Sequence, residues 1–214
     1  AHQLGESLWE RVGLPVYFYG SAARSEERRR LETLRGGGFE GLRDHLLRAR
    51  PGGPDRRPDV GGPLLHETAG AVAVGVRKFL IAFNINLDTA DLAIAKTIAR
   101  QIRESSGGLP AVKALGLALP SRGITQVSVN LTDFEVTPPQ VVFEQVREQA
   151  AGFGASVIEC EIIGLVPNKV YQMIADHSLP VRGFGPEMML ENRLAEESSE
   201  AGEETESGGD RANS

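Results

Sequence analysis

Amides and carboxylates recur at every second position of segments that read as strands. Asn84 and Asn86 stand in KFLIAFNINL, Gln126, Ser128 and Asn130 in ITQVSVNL, and Glu159 and Glu161 in SVIECEIIGLV. Side chains alternate across a strand, so each set shares one face of a sheet. Asn is disfavoured in strands, and its accumulation here needs a reason. An amide offers donors and an acceptor together, which suits a flat heterocycle with a mixed hydrogen-bonding edge. A carboxylate accepts two parallel N–H bonds from a guanidine-like edge. The same pattern fits a solvated outer face, and both readings stand at this point.

A second constellation, GGPLLHETAGAVAVGVRK, precedes the first of these strands. Its glycines and small residues allow close backbone approach, and Gly70 and Gly75 suit positive φ. His66 lies within it beside Glu67 and Thr68, either as an acid–base group or as a loop residue without chemistry. Arg77 and Lys78 read as cations for substrate carboxylates or as solvated charges at a strand entry. Arg122, in the turn PSRG, is a third cation of that kind. His2, His45 and His177 read as structural, and no histidine spacing resembles a metal motif such as H-E-x-x-H. Gly36, Gly38 and Gly41 match G-x-G-x-x-G formally, but they follow a helical pattern, so no dinucleotide site is expected.

The elements that must hold these groups follow from periodicity. Leu4, Leu8 and Val12 mark a first helix closed by Gly13, LPVYFYG a short strand, and SAARSEERRRLETLR a charged helix. Residues 50–63 read as a Pro/Gly/Arg linker. The order from Lys78 onward is βαββαβ with a short closing helix. Its first helix carries Ile94, Ile98 and Ile102, and its second opens on the capping box Thr137-Pro138-Pro139-Gln140. This order predicts an α+β fold: a ferredoxin-like sheet with two helices on one face, preceded by a helix-strand-helix remnant of a similar subdomain. Alternation assigns Ile81, Phe83, Ile85, Leu87, Leu115, Leu117, Leu119, Val127, Val129, Leu131, Ile158, Cys160 and Ile162 to the covered face. Ala114, Gly116 and Ala118 then form a small-residue floor between the polar groups of the other face.

Composition limits the classes of function. The formal charge of −6 over 214 residues is concentrated at the C-terminus, where residues 196–214 carry seven acidic groups and one arginine. The remainder is close to neutral, which excludes the basic stripe of a nucleic-acid binder. The tail is too polar to bury a core and is expected to be disordered. A single cysteine, Cys160, excludes a disulfide framework and fits a reducing compartment. No apolar run approaches the roughly 18–20 residues of a membrane helix, and no signal peptide opens the chain. A cytoplasmic protein without a metal or a membrane partner is expected.

GVRKFLIAFNINL, LLHETAG, SVNLTDFEVTP and EIIGLVPNK together resemble the glutamate formimidoyltransferase (formiminotransferase) family, over about Leu4 to Val181. RRRLETLRGGGFEGL resembles the end of that family's first subdomain. The resemblance implies a one-carbon transferase of histidine degradation, moving the formimino group of N-formiminoglutamate to tetrahydrofolate. It implies two similar subdomains with folate held between them, without a metal. It divides the chain into a first-subdomain remnant (1–50), a connection (51–76), a second subdomain (77–195) and the tail (196–214). By the same resemblance the connection is folate-contacting through Gly61, Gly62, Pro63, Leu64, Leu65, His66, Glu67, Thr68, Ala69 and Gly70, and Asn84 and Asn86 face the folate. Arg77, Lys78, Gln126, Ser128, Asn130, Glu159 and Glu161 are candidate substrate contacts. The family's catalytic histidine lies in a motif like His-Pro-Arg-x-Gly, which this sequence lacks. The chain also opens on Ala rather than Met. The expectation is therefore a fragment inactive alone, with His66 a weak substitute base. The alternative is a non-catalytic folate-binding or assembly module, as a homodimer or with a separate first-subdomain half.

Overall fold

The computed structural model describes residues 1–48 and 56–207. The chain divides into two compact units, Ala1–Arg77 and Lys78–Ser214, and the whole is α+β.

The first unit comprises α1 (His2–Val12), β1 (Val16–Gly20), α2 (Leu31–Leu34), α3 (Gly38–Leu47) and β2 (Val72–Val76). Helix α1 stops where Gly13 adopts φ 65°, the left-handed conformation glycine takes without penalty. Gly5 lets α1 approach the sheet, because a Cβ there would lie 2.6 Å from the Phe18 ring. Val16, Phe18, Ala22 and Val74 form the core, with Leu8, Val60 and Val72 against it.

Two expectations fail in this unit. The single strand of the remnant has a partner: β1 and β2 pair in parallel from Val16↔Val72 to Gly20↔Val76. Residues 72–76, assigned to the connection, are therefore sheet. The Ala/Val/Gly run AVAVGV makes a ladder because its Val72 and Val74 pack on the core. The expected charged helix over 21–35 reduces to a 3₁₀ turn at Glu26–Arg28 and the single turn of α2. Asp59 overrides helix propensity there. Its nearly buried carboxylate pairs with Arg28 at 2.8 Å and accepts the Phe18 N–H at 2.8 Å, which draws the 24–28 segment onto the sheet. Residues 49–55 of the expected linker lie outside the described residues.

The second unit comprises β3 (Ile81–Leu87), α4 (Leu92–Ile102), β4 (Val112–Leu119), β5 (Ile124–Leu131), α5 (Pro139–Gly152), β6 (Val157–Ile163), α6 (Asn168–Asp176) and α7 (Leu190–Ser207). Its strands lie in the order β4-β5-β3-β6, every neighbouring pair antiparallel. Helices α4 and α5 bury Ala95, Ile98, Ala99 and Ile102 and Val142, Phe143, Val146 and Ala150 in one core with Ile81, Phe83, Ile85 and Leu87. Each fully buried aliphatic or aromatic side chain of this kind contributes about 1.5–3 kcal/mol. Asp91 caps α4, its Oδ1 accepting the Ala93 N–H at 2.8 Å. The capping box expected at α5 does not form. The Thr137 hydroxyl donates to the Pro110 carbonyl instead, at 2.6 Å, while Pro139 does occupy the first helical position.

The structure reverses one strand. Ala114 and Gly116 face the helices, and Leu115 and Leu117 face the other way. Helix α4 lies so close to β4 that a Cβ on Gly116 would sit 2.3 Å from the Lys96 nitrogen. Only small side chains fit beneath the helix, so the leucines turn outward. Ile158 also leaves the assigned face: the register shifts between Asn86 and Leu87, and the extra residue is exposed. Finally, helix α7 continues to Ser207, into the segment expected to be disordered. Arg193 pairs with Glu196 and Glu197 at i+3 and i+4, which supports a helix. Residues 208–214 of that tail lie outside the described residues.

Gly116→Val should destabilise the second unit by about 1–3 kcal/mol or more through overpacking against α4, read as a lower urea midpoint. Gly123→Val removes a glycine with no neighbour within 4 Å but with φ 65°. It should act through backbone strain alone and leave the α4–β4 packing unchanged.

Candidate functional site

Cross-strand register places the polar residues in rows on the sheet face that α4 and α5 leave uncovered. One row runs Leu115–Ser128–Asn84–Glu161 and the next Leu117–Gln126–Asn86–Glu159. A third places Lys113, Asn130, Ala82 and Ile163 together. The face thus grades from apolar at β4, through amides at its centre, to carboxylates at β6. The expected small-residue floor is absent, because Leu115 (61 % exposed) and Leu117 (41 %) replace Ala114 and Gly116 there.

Asn86 is fully buried on this face, and its amide is committed. Its Nδ2 donates to Glu159 Oε1 at 3.1 Å and to Glu161 Oε1 at 3.3 Å. Its Oδ1 accepts from Gln126 Nε2 at 2.8 Å, and Gln126 gives its other N–H to Glu161 Oε2 at 3.3 Å. Both donors of each amide are therefore consumed. The two carboxylates are balanced by two guanidinium groups. Arg122 Nη2 donates to Glu159 Oε1 at 2.7 Å and Nη1 lies 3.5 Å from Glu161. Arg182 Nη2 lies 2.7 Å from Glu161 Oε1 and Nη1 3.7 Å from Glu159. The Arg122 hydrogen bond holds the Glu159 carboxyl below its ordinary range, against the opposing effect of desolvation and with help from Asn86.

Asn84 and Ser128 differ from their neighbours. They are half-buried, directly opposite one another, and no side-chain hydrogen bond occupies them among the described residues. These two groups, flanked by Leu115, are what the face offers a flat polar molecule. Asn130 is exposed beside Lys113. Cys160 lies in the helix-covered core, where burial pushes its thiol up to about 12.

The Gly61–Gly70 loop belongs to the first unit and divides into two parts. Gly61, Gly62 and Pro63 line a cavity of about 840 Å³ with Arg24, Arg28, Arg57 and Asp59. Gly61 adopts φ 103° under the Trp9 ring. Leu64 is exposed and Leu65 half-buried. His66 and Gly70 exchange backbone hydrogen bonds of 2.7 and 3.0 Å, closing a tight loop with Glu67, Thr68 and Ala69 at its exposed tip. His66 Nδ1 lies 3.3 and 3.2 Å from the N–H groups of Thr68 and Ala69.

Arg77 is exposed at the unit boundary. Lys78 belongs to a network the sequence did not reveal. Its Nζ lies 2.8 Å from Asp133 and 3.0 Å from Glu135, and Lys169 Nζ lies 2.5 Å from Glu135. Hydrogen bonds from Lys169 and Lys78 bring the Glu135 carboxyl down to about 2, and Asp133 and Glu135 raise Lys78. Arg182 is the other group missed. It reaches Glu161 only because Pro180–Arg182 runs beside β6, with Cys160 N–H donating to Pro180 O at 2.7 Å. No local pattern announces that contact. Among the described residues no group of three or more His, Cys, Asp or Glu is placed to hold a metal ion. No described helix is long and apolar enough to cross a membrane.

The second unit is thus an α+β unit whose antiparallel sheet carries helices on one face and a hydrogen-bonded polar network on the other. The chain belongs to the formiminotransferase family: residues 1–77 match the N-terminal subdomain of the formiminotransferase domain and residues 82–183 match the formiminotransferase domain. It is 40 % identical over 193 residues to a glutamate formimidoyltransferase of Streptococcus pyogenes, covering 90 % of this chain and 63 % of the relative. A glutamate formimidoyltransferase of Thermoplasma acidophilum is 37 % identical, with 91 % and 63 % covered. A formimidoyltransferase-cyclodeaminase of Gallus gallus is 41 % identical over 79 % of this chain and 31 % of its own. The chain thus spans 63 % of the length of the first two of these relatives.

The lowered carboxyl of Glu159 has a pH signature. Its stabilisation is fully present above the ordinary glutamate value of about 4.3 and is lost as the pH falls through the lowered folded value. Thermal unfolding of Glu159→Gln should therefore show a deficit against the parent protein at pH 7 that narrows as the pH falls below about 4.3 and through the lowered folded value.

Proposed function

We propose that this chain provides folate and formiminoglutamate contacts of a glutamate formimidoyltransferase, the enzyme that moves the formimino group of N-formiminoglutamate to tetrahydrofolate in histidine degradation. The observation that carries the reading is the meeting of family and surface. RKFLIAFNINL, SVNLTDFEVTP and EIIGLVPNK put Asn84, Asn86, Ser128, Asn130 and Glu161 on the sheet face that α4 and α5 leave uncovered. The element order βαββαβ and strand order β4-β5-β3-β6 support a ferredoxin-like second subdomain.

In this reading Asn84 and Ser128 hydrogen-bond the edge of the pterin, and Leu115 and Leu117 support the ring. Asn86, Gln126, Glu159 and Glu161, tied to one another and to Arg122 and Arg182, form the rigid bed beneath. The loop from Gly61 to Gly70 contributes further folate contacts, and Arg77 and Lys78 meet substrate carboxylates. The transfer needs a folate nitrogen to attack the amidine carbon. The tetrahedral intermediate then releases the glutamate nitrogen, which takes up a proton. Holding both substrates in line supplies much of the rate. A histidine near neutral pKa is the natural proton shuttle. No histidine of this sequence is followed by proline, so the family motif is missing and His66 is the weak substitute on offer. A non-catalytic folate-binding module, as a homodimer or with a separate first-subdomain half, is the reading this absence favours if turnover is nil. A cytoplasmic setting accompanies either reading.

Titration of the purified chain with 5-formyltetrahydrofolate should show saturable binding, weakened about tenfold in Asn84→Ala by loss of a hydrogen-bonding partner. Turnover of N-formiminoglutamate with tetrahydrofolate should be absent or a trace. Robust turnover abolished by His66→Asn would give His66 the acid–base role, and failure to bind the folate would overturn the reading.

A further inference from the structure

The Lys78–Glu135–Lys169 network joins three chain segments remote in sequence. Lys78 enters β3, Asp133 and Glu135 lie between β5 and α5, and Lys169 stands in the first turn of α6. The two lysines divide the Glu135 carboxylate between them: Lys78 Nζ lies 3.0 Å from Oε2 and Lys169 Nζ 2.5 Å from Oε1. Two ammonium groups, one on each oxygen, form a socket for a carboxylate.

We propose that Lys78 and Lys169 form a carboxylate-binding site that Glu135 fills from within the chain, and that a glutamate-sized dicarboxylate enters it by exchange with Glu135. The choice of ligand class rests on the transferase reading above; the socket itself rests on its own geometry.

Two observations support the exchange. The first is accessibility: the side chains of Lys78, Glu135 and Lys169 are 54, 45 and 59 % exposed. Exposed ion pairs are individually weak, and trading one carboxylate for another keeps the number of ion contacts constant. The second is that Lys78 stays placed when Glu135 leaves. Asp133 Oδ2 holds it at 2.8 Å, while Asp133 Oδ1 accepts the Glu135 N–H at 3.2 Å and fixes the loop. Lys169, by contrast, has Glu135 as its only ion-pair partner among the described residues, so departure of Glu135 leaves a cation to be satisfied.

The test is a titration of the full chain with glutarate at constant ionic strength, followed by amide chemical shifts. Saturable shifts are expected at Lys78, Glu135 and Lys169. Glu135→Gln, which removes the internal competitor, should bind glutarate about tenfold more tightly, and Lys169→Ala about tenfold more weakly. All three residues are exposed, so both variants should keep the parent circular-dichroism spectrum, and Lys169→Arg should retain binding. Equal dissociation constants in the parent and both variants, or shifts that never saturate, would overturn the socket. A parallel 5-formyltetrahydrofolate titration separates the two readings. Folate binding with a silent socket sinks the socket alone, whereas glutarate binding with no folate binding supports the socket and sinks the transferase reading.

Discussion

Glu159 and Glu161 stand two residues apart on the same face of β6, and their charges must be compensated for that face to exist. Like charges this close repel, and partial burial raises the cost of leaving either unpaired. The compensation comes from three directions. Arg122 reaches in from the β4–β5 turn, Arg182 from the segment beside β6, and the amides of Asn86 and Gln126 from the neighbouring strands. Removing any one of them leaves a carboxylate lone pair or an amide N–H without its partner. The network is therefore cooperative in the ordinary electrostatic sense, and it ties the three strands β5, β3 and β6 together on this face.

That network separates supporting residues from those available to a ligand. Asn84 and Asn86 share a strand face and a family-like segment, yet Asn86 is sealed into the network while Asn84 is open. A preorganised bed with a few uncommitted polar groups above it is the arrangement that binds a flat heterocycle at low entropic cost. In the proposed transferase reading, that surface meets the folate. The first unit adds a different device, a half-buried Arg28–Asp59 pair that anchors the 24–28 segment to a two-stranded parallel sheet.

The ion network at the end of the sheet has the opposite character. Lys78, Glu135 and Lys169 are exposed, Asp133 is half-buried, and the four come from three segments. The protein thus combines a closed polar network on one face with an open one at its edge.

Much of this was legible in the sequence. The element order of the second unit, the apolar alternation of β3 and β5, the Ile98–Ile102 stripe of α4 and the polar positions of β3, β5 and β6 follow from side-chain periodicity, a local property of the backbone. The phase of β4 was not legible. VKALGLAL alternates equally well either way, and only the close approach of α4 decided that Ala114 and Gly116 lie inside. The Ile158 bulge, the partnership of β1 with β2 and the reach of Arg182 and Lys169 escaped for the same reason. Sequence by itself determined which side chains can share a face, because alternation needs only neighbouring residues. Tertiary structure decided which face is covered closely and which charges meet, because those depend on distances between segments that no local pattern encodes.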